Sequence, residues 1–437
     1  MISRDLNQRE SIIEWPLWLA VLGLIFVGIA FVYSATSFSE STGFLQQFHK
    51  LSWRSFFWWV LPKFYTRQII AVLLGFGVAA VFSIVSYHKI ARWSLVVYWV
   101  SVLVLLGVLL EGIGGGPGAR RWIDLGVVKF QPSEFAKLGV MLALANFLSR
   151  PTEELASRTV FFQTLGMIGL PFLLILKEPD LGSALVLPPV GFALMVVAGV
   201  PTAYLKRLVG LVALIIGLVV ADIFIAPVGW RSPLEKSPSK GFLLQGALRF
   251  ADLHDEILEQ YQRDRLLVYF GREFAQRNAT EAERRQANQR KSERSYNTEQ
   301  ALISVGSGGW TGKGWGEGTQ NKLGFLPSSV AHNDFIFSVI AEEEGFLGSA
   351  TVLALYALLL FTGIKIAGQA RDRLGKLLAI GVVALFFSHI FINIGMNIRL
   401  MPVAGIPLPL LSYGGTSVVC SLIAAGILQN IHLYRKS

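Results

Sequence analysis

One carboxylate of this 437-residue chain lies where a polar loop meets an apolar segment. Asp334 follows His332 and Asn333, with a glycine-rich stretch at 306–324 before them and an apolar segment that extends to about Ile364. Glycine lets a backbone fold tightly against a ligand. A carboxylate at the edge of a membrane segment predicts a functional site. The simpler alternative is that Asp334 only caps a helix, a position that Asp and Asn favour.

Three further polar clusters, all rich in Gly or Pro, separate apolar segments at 118–137, 177–184 and 397–417. Non-helical backbone at membrane depth is tolerated only where it is buried in protein or lines a cavity. Any one cluster alone would be a plain turn, and Asp180 in the second would then only cap the helix that follows. Four clusters on one face of a membrane predict a common site.

The first of these clusters holds charges of both signs. Glu134 and Lys137 are spaced i, i+3, so they share one face of a helix. They are predicted either to neutralise each other or to contact an anionic head group. Arg120 and Arg121 could bind phosphate through paired hydrogen bonds, or could simply meet the phosphates of the lipid.

Three consecutive carboxylates follow Asp334 on the same apolar segment. The glutamates at 342–344 would lie roughly 12–15 Å deeper than Asp334 if the helix were straight, at a rise of ~1.5 Å per residue. Carboxylates at that depth need partners, so we expect a Lys or Arg of a neighbouring span to pair with them.

Composition places the chain among polytopic membrane proteins. Hydrophobic residues make up 53% of it and charged residues 16%, against ~25% in soluble domains. Its mean hydropathy is +0.53, and apolar runs of about 20 residues, which can cross a bilayer, recur throughout. Lys and Arg at membrane faces explain the formal net charge of +10. We therefore expect membrane lipids and an anionic substrate, and no nucleic acid, as partners.

Two kinds of site are excluded. Cys420 is the only cysteine, so neither a disulfide within the chain nor a cysteine-based metal site can form. The loop at 306–324 contains Gly-Lys-Gly but no GxxxxGK[ST] motif, which excludes a Walker-type nucleotide site.

The expected fold class is an all-α polytopic membrane protein with about ten transmembrane helices. The chain then divides into spans 1–7 at 1–227, a large extracytoplasmic loop at 228–333, and spans 8–10 at 334–437. Pro188 and Pro189 are predicted to interrupt the sixth span. The predicted spans are about Trp15–Tyr33, Ile69–Ser86, Trp93–Leu110, Ser133–Leu148, Val160–Leu176, Ala184–Val200, Leu208–Ala226, one within 334–364, Leu377–Ile394 and Val418–Leu433.

Ten spans put both termini on the same side of the membrane. Lys and Arg are modestly enriched on that side, which predicts cytoplasmic termini and an extracytoplasmic face that carries all four polar clusters. In the large loop, apolar residues at helical spacing predict an amphipathic helix over 248–270. The polar stretch at 271–294 is either a solvated helix or disordered.

Four motifs in this order resemble the SEDS family of RodA, FtsW and their sporulation relatives. They are GARRWIDLG with QPSEFAK, EPDLGSA, GSGGWTGKGWGEGTQNKLGFLP with HNDFIFSVIAEEEGFLG, and PVAGIPLPLLSYGGTS. The resemblance covers about 15–430. Ala341, 393–396 and 405–409 are more similar to the RodA branch than to FtsW, whereas Asn333 replaces the threonine usual in the family.

The resemblance implies a peptidoglycan glycosyltransferase that polymerises lipid II into glycan strands during cell-wall elongation and the maintenance of cell shape. The family's key aspartate falls on Asp334, and its membrane-embedded Glu and Lys fall on Glu134 and Lys137. A location in the bacterial plasma (inner) membrane and a class B penicillin-binding protein as partner are also implied. The residues expected to bind substrate are Glu134, Lys137, Arg120, Arg121, Gln131, His332 and Ser412.

Such a reaction is compatible with one essential carboxylate. Forming a glycosidic bond needs a base for the proton of the acceptor hydroxyl. A lipid diphosphate leaves as a stabilised anion, so the cations Arg120, Arg121 and Lys137 could replace a second carboxyl group. An exposed aspartate is a weak base, with a pKa near ~3.9. Asp334 is therefore expected either to be partly desolvated or to bind a divalent cation, Mg²⁺ or Mn²⁺, and the sequence leaves both open.

Two other functions fit the same sequence. Broken helices and buried charges also suit a transporter that moves lipid II across the membrane. The chain could instead only hold a class B penicillin-binding protein, since it lacks the paired SxxK and KTG motifs of a transpeptidase itself.

Overall fold

The computed structural model describes residues 12–37, 63–111, 121–124, 129–225, 260–272, 274 and 280–436. Arg120 and the first part of the helix predicted over 248–270 lie outside them. The described residues are almost entirely helical, apart from one antiparallel pair of two-residue strands, β1 (Ile123–Asp124) and β2 (Lys129–Phe130). The predicted class of helical membrane protein is confirmed.

The helices before the large loop are α1 (Trp15–Ser37), α2 (Phe64–Ile84), α3 (Tyr87–Arg92), α4 (Ser94–Glu111), α5 (Pro132–Leu148), α6 (Thr152–Leu155), α7 (Arg158–Lys177), α8 (Leu181–Ala198) and α9 (Thr202–Ile225). Those within the loop are α10 (Gln260–Tyr269), α11 (Glu281–Ser307), α12 (Thr319–Lys322) and α13 (Ser328–Ala331). The chain ends with α14 (Ile336–Gln369), α15 (Arg373–Asn397), α16 (Gly415–Leu433) and a 3₁₀ turn at Tyr434–Lys436.

Each of the ten predicted spans coincides with one of these helices. Eight described helices are long and apolar enough to cross a membrane. The other two are α4, which is slightly short, and α5, whose first turns carry Glu134 and Lys137. Helix α8 continues unbroken through Pro188 and Pro189, so the predicted interruption there is wrong.

Helices α5, α15 and α16 form the centre of the bundle, and their residues are mostly buried. Small residues let α16 approach α2 closely, because a Cβ on Gly426 would lie 2.7 Å from the carbonyl oxygen of Ala79. Helix α9 lies at the edge of the bundle, and its residues are mostly exposed, with Leu205 the exception at 202–221. Polar side chains on α5 and α15 therefore face protein and not lipid.

Helix α14 is broken at Gly345, where φ is +65° and ψ is −154°. The glycine-rich loop docks into this break. The N–H of Phe346 donates to the carbonyl of Gly309 at 2.8 Å. The N–H of Gly314 donates to the carbonyl of Glu343, also at 2.8 Å. The loop thus satisfies backbone groups at membrane depth, and these glycines approach the chain's own backbone where the sequence suggested a ligand.

The deep glutamates of α14 find their cation in the same loop and not, as expected, in a neighbouring span. Lys313 Nζ lies 2.6 Å from a carboxylate oxygen of Glu342. Glu343 accepts from the N–H of Gly316 at 2.9 Å and from the hydroxyl of Ser34 on α1 at 2.7 Å. The loop is therefore fixed to the helix by charge as well as by backbone hydrogen bonds.

The polar stretch of the large loop is helical from Glu281 onwards, where it forms the exposed first half of α11. Thr280 and Glu283 form a reciprocal capping box that starts this helix. Of the helix predicted over 248–270, the described part is α10, which lies against α11.

We predict that Gly345→Ala destabilises the protein by at least ~1–2 kcal/mol, because a side chain disfavours positive φ. The added Cβ would also lie 2.8 Å from the backbone nitrogen of Thr311 in the docked loop. Thermal unfolding and limited proteolysis of the loop measure the effect.

The matched control is Gly368→Ala in the same helix. No described atom lies within 4 Å of the position of its Cβ, so this change should be neutral or stabilise by ~0.5–1 kcal/mol. Equal unfolding temperatures for the two variants would contradict the docking.

Candidate active site

Asp334 lies two residues before α14, in the turn that follows α13. The N-cap of α14 is Phe335 and no side chain caps it, so the predicted cap role of Asp334 is wrong. The backbone carbonyl of Asp334 accepts hydrogen bonds from the side-chain amides of Asn393, at 3.0 Å, and Asn397, at 3.1 Å. Both asparagines belong to α15 and are fully buried, which ties Asp334 to the centre of the bundle.

The carboxylate of Asp334 is half-buried among charges from three other elements. Arg265 on α10, Asp180 before α8 and Arg121 before β1 all lie close enough to influence it. Burial raises the pKa of Asp334 to about 6. The positive charges of Arg265 and Arg121 oppose this rise, and the negative charge of Asp180 adds to it. Asp334 is therefore mostly ionised at neutral pH and is a stronger base than an exposed aspartate. This is one of the two environments expected from the sequence.

Asp180 links two of the clusters seen in the sequence. One carboxylate oxygen accepts from the N–H of Ser183 at 3.1 Å, so the predicted cap of α8 is confirmed. The other accepts from the side-chain amide of Gln131 at 3.2 Å. The guanidinium of Arg121 donates to the backbone carbonyls of residues 178–179. The loops at 118–137 and 177–184 thus meet beside Asp334.

Glu134 and Lys137 form the predicted ion pair inside the bundle. Lys137 Nζ lies 2.7 Å from Glu134 Oε1 and 2.8 Å from Nε2 of His389 on α15. Nδ1 of His389 lies 3.4 Å from the carbonyl oxygen of Pro407. The pair therefore joins α5 to α15 and to the loop that follows α15.

His332 and Ser412 both hold backbone in place. His332 is buried, and its Nδ1 contacts the carbonyl oxygen of Ser328. The hydroxyl of Ser412 donates to the carbonyl of Asn333 at 2.6 Å and accepts from the N–H of Leu408 at 2.8 Å. Both side chains support the turn that carries Asp334, and a direct role of either in substrate binding stays a prediction.

Residues 14–437 match the model of the FtsW, RodA and SpoVE family of cell cycle proteins. The chain belongs to this family. It is 33% identical over 371 residues to the peptidoglycan glycosyltransferase MrdB of Escherichia coli K12, which covers 85% of this chain and 86% of that protein. It is 30% identical over 457 residues to the peptidoglycan glycosyltransferase RodA of Treponema pallidum, which covers 96% and 97%.

Among solved structures, the fold is similar to a chain of a peptidoglycan synthase complex that coordinates polymerization and crosslinking. The TM-score is 0.68 at 25% sequence identity, over 97% of this chain and 99% of that one. Family membership and the shared fold therefore cover nearly the whole chain, as the motifs of the sequence predict.

The sequence leaves open whether Asp334 binds a divalent cation, and the described residues around it are not suited to hold one. Within them, no three His, Cys, Asp or Glu side chains are grouped to hold a metal ion. Arg265 and Arg121 lie close enough to Asp334 to lower its pKa, and their positive charges would repel a cation there. We therefore derive no step through a metal at Asp334.

The sequence analysis assigns no part in the site to three residues that lie beside Asp334 or hold its backbone. Arg265 belongs to the predicted amphipathic helix, and only the folded chain brings it to Asp334. Asn393 and Asn397 carry a usable signal, because two amides spaced i, i+4 in an otherwise apolar span must find partners inside the protein.

Glu178 is a buried carboxyl group whose oxygens accept no hydrogen bond from the described part of the chain. It is 1% exposed. Burial raises the pKa of Glu178 to about 9, the charge of Asp180 adds to the rise, and Arg121 opposes it. At neutral pH the group is therefore mostly protonated.

We predict that Glu178→Gln makes the protein more stable at pH 8 to 9, because the neutral amide avoids the cost of holding a proton on Glu178 at high pH, ~1.4 kcal/mol for each pH unit above the pKa of the unfolded state. The folded state holds the Glu178 proton more tightly than the unfolded state, so stability falls as pH rises from about 4.5 to about 9. Thermal unfolding of wild type and variant across this range measures the difference. Parallel curves would contradict the buried protonated state.

Proposed function

We propose that this protein is a peptidoglycan glycosyltransferase that polymerises lipid II, the undecaprenyl-diphosphate-linked disaccharide peptide, with Asp334 as general base. The names of its relatives support the reaction class. The observation that supports the base is the half-buried carboxylate of Asp334, whose pKa is raised to about 6 beside two arginines. A base with a pKa just below neutral pH is ionised and still accepts a proton readily.

In the proposed reaction, the acceptor sugar hydroxyl attacks the anomeric carbon of the donor, and its proton passes to a carboxylate oxygen of Asp334. The bond between that carbon and the diphosphate oxygen breaks, and the electron pair leaves with the diphosphate. Cations near Asp334 stabilise this leaving group, so no second carboxyl group is needed as acid.

The remaining elements of the proposal concern location and partners. The apolar spans support a protein embedded in the bacterial plasma membrane. The bias of Lys and Arg supports cytoplasmic termini, which would put the site on the outer face. The similarity to a synthase complex supports assembly with a class B penicillin-binding protein that crosslinks the glycan. A role in cell elongation and cell shape completes the proposal, and the motifs that resemble the RodA branch support it.

We predict that Asp334→Asn lowers polymerisation of lipid II by ~10²–10⁴-fold, the usual contribution of a general base. In the wild type, the rate should fall as pH drops through about 6, where Asp334 takes up a proton. Gel analysis of glycan polymer made by the purified protein between pH 5 and 8 measures both. Glu153→Gln is the control, because Glu153 is an exposed carboxylate on the short helix α6.

The alternatives give different results in the same preparation. Polymer formation by Asp334→Asn at the wild-type rate would rule out the base. A wild type that moves lipid II across liposomes and forms no polymer would be a transporter. A wild type that does neither, and only binds the penicillin-binding protein, would be a scaffold.

A further inference from the structure

Helix α10 of the large loop presents charged residues on two adjacent faces. Towards the bundle, Arg265 Nη1 donates to the carbonyl of Val403 at 2.7 Å. One turn later, the hydroxyl of Tyr269 donates to the carbonyl of Leu400 at 3.0 Å. The spacing i, i+4 makes these two contacts one docking face, which holds α10 on the segment after α15.

The same docking face brings Arg265 to Asp334 at Gly405. A Cβ on Gly405 would lie 3.5 Å from Arg265 Nη2 and 3.5 Å from Asp334 Oδ2. Gly405 has a φ of +69°, which favours glycine, and the missing side chain leaves the space in which the two charged groups approach each other. The two groups are also close enough for each to influence the ionisation of the other.

The second face of α10 is held by α11. Asp264 is 3% exposed and lies 3.4 Å from Arg290 Nη2 and 3.9 Å from Arg294 Nε. Leu267 and Val268, which are buried on α10, add apolar contacts on this side. A buried carboxylate between two arginines is a directional constraint that apolar contacts alone do not supply.

Helix α11 is itself anchored to the membrane bundle. Its second half packs against α14 and α15 and buries Thr298, Ala301 and Ser304. Its polar first half extends away from them and carries Arg290 and Arg294. The helix thus connects the bundle to the back of α10.

We propose that Arg265 binds the diphosphate of the glycolipid donor beside Asp334, and that α11 holds Arg265 there through the contacts of Arg290 and Arg294 with Asp264. This inference rests on the proposed function. It gives the polar stretch at 281–294 the task of positioning a binding residue.

The chemistry of Arg265 suits this task. Burial lowers the pKa of Arg265 to about 10, and the charge of Arg121 adds to the fall, so the group stays charged at neutral pH. A guanidinium donates parallel hydrogen bonds to two phosphate oxygens. As the bond from the anomeric carbon to the diphosphate oxygen breaks, Arg265 stabilises the new charge without giving up a proton, while the acceptor proton goes to Asp334.

A binding experiment tests the first half of the proposal without any turnover. Purified full-length protein is titrated with undecaprenyl diphosphate, undecaprenyl monophosphate and inorganic pyrophosphate. Arg265→Gln should weaken undecaprenyl diphosphate by about ten- to a hundredfold, from the loss of charge-assisted hydrogen bonds. Arg285→Gln, an exposed arginine of α11, is the control and should bind as the wild type does.

The results of the titration support or overturn the binding role of Arg265. A loss for undecaprenyl diphosphate that exceeds the loss for the monophosphate supports a diphosphate site for the lipid. A loss for inorganic pyrophosphate alone assigns Arg265 to the free anion and overturns the lipid-linked assignment. Equal affinities of wild type and Arg265→Gln for all three overturn the binding role, even if the wild type polymerises lipid II.

The pH profile of the polymerisation rate tests the second half of the proposal, the positioning of Arg265 by α11. Substitution of Asp264 can change the pKa of Asp334 in two ways, and these have opposite signs. Loss of its negative charge alone would lower the pKa of Asp334 through space. Release of Arg265 from its position would raise that pKa, since Arg265 opposes the rise caused by burial. We predict that Asp264→Asn shifts the acidic limb of the rate profile to higher pH and raises the KM for lipid II.

The control is Glu293→Gln, which removes one negative charge from an exposed position of α11 and should leave the profile unchanged. A shift of the Asp264→Asn limb to lower pH, or no shift, overturns the positioning role. A wild type that makes no polymer contradicts the proposed function. In that case the affinity of Asp264→Asn for undecaprenyl diphosphate is the test of the positioning role. Unchanged affinity overturns the positioning role.

Discussion

The two amide hydrogen bonds from Asn393 and Asn397 to the backbone carbonyl of Asp334 hold the candidate base in the bundle. Asn397 also accepts from the hydroxyl of Ser338 at 2.6 Å, so the same asparagine holds both the turn and the first turn of α14 on α15. A carbonyl at the membrane edge must find donors inside the protein, because lipid offers none. Holding the backbone of Asp334 leaves its carboxylate available to a substrate.

Most buried charges in the described residues are offset by a specific partner close by. Lys137 lies between Glu134 and His389, and Glu342 pairs with Lys313. Breaking such a pair leaves an uncompensated charge, which costs more than the pair contributes. Glu178 departs from this pattern and avoids the cost by remaining protonated, which removes its charge from the neighbourhood of Asp334.

The sequence predicts local features of this protein well. An apolar run of about 20 residues is a property of one segment, so all ten spans coincide with helices. The pairing of Glu134 with Lys137 follows from their spacing on one helix. The approach of Arg265 to Asp334 depends on how a loop helix docks on a distant segment, and no spacing encodes it. The break at Gly345 cannot be predicted from the sequence for the same reason, since the backbone groups that the break exposes find partners only in the docked loop.

The buried charged group of Glu134, Lys137 and His389 bears on the choice between chemistry and transport. A transporter needs a path that opens to each side of the membrane in turn. Here Glu134, Lys137 and His389 are nearly fully buried, and Lys137 contacts both of the others, which joins α5 to α15 at the centre of the bundle. Opening a path for a diphosphate head group would separate these charges in an apolar surrounding. The loop helix α10, by contrast, approaches Asp334 from the large loop. A site held by the bundle and completed by a loop helix suits a reaction at one face of the membrane better than passage from one face to the other.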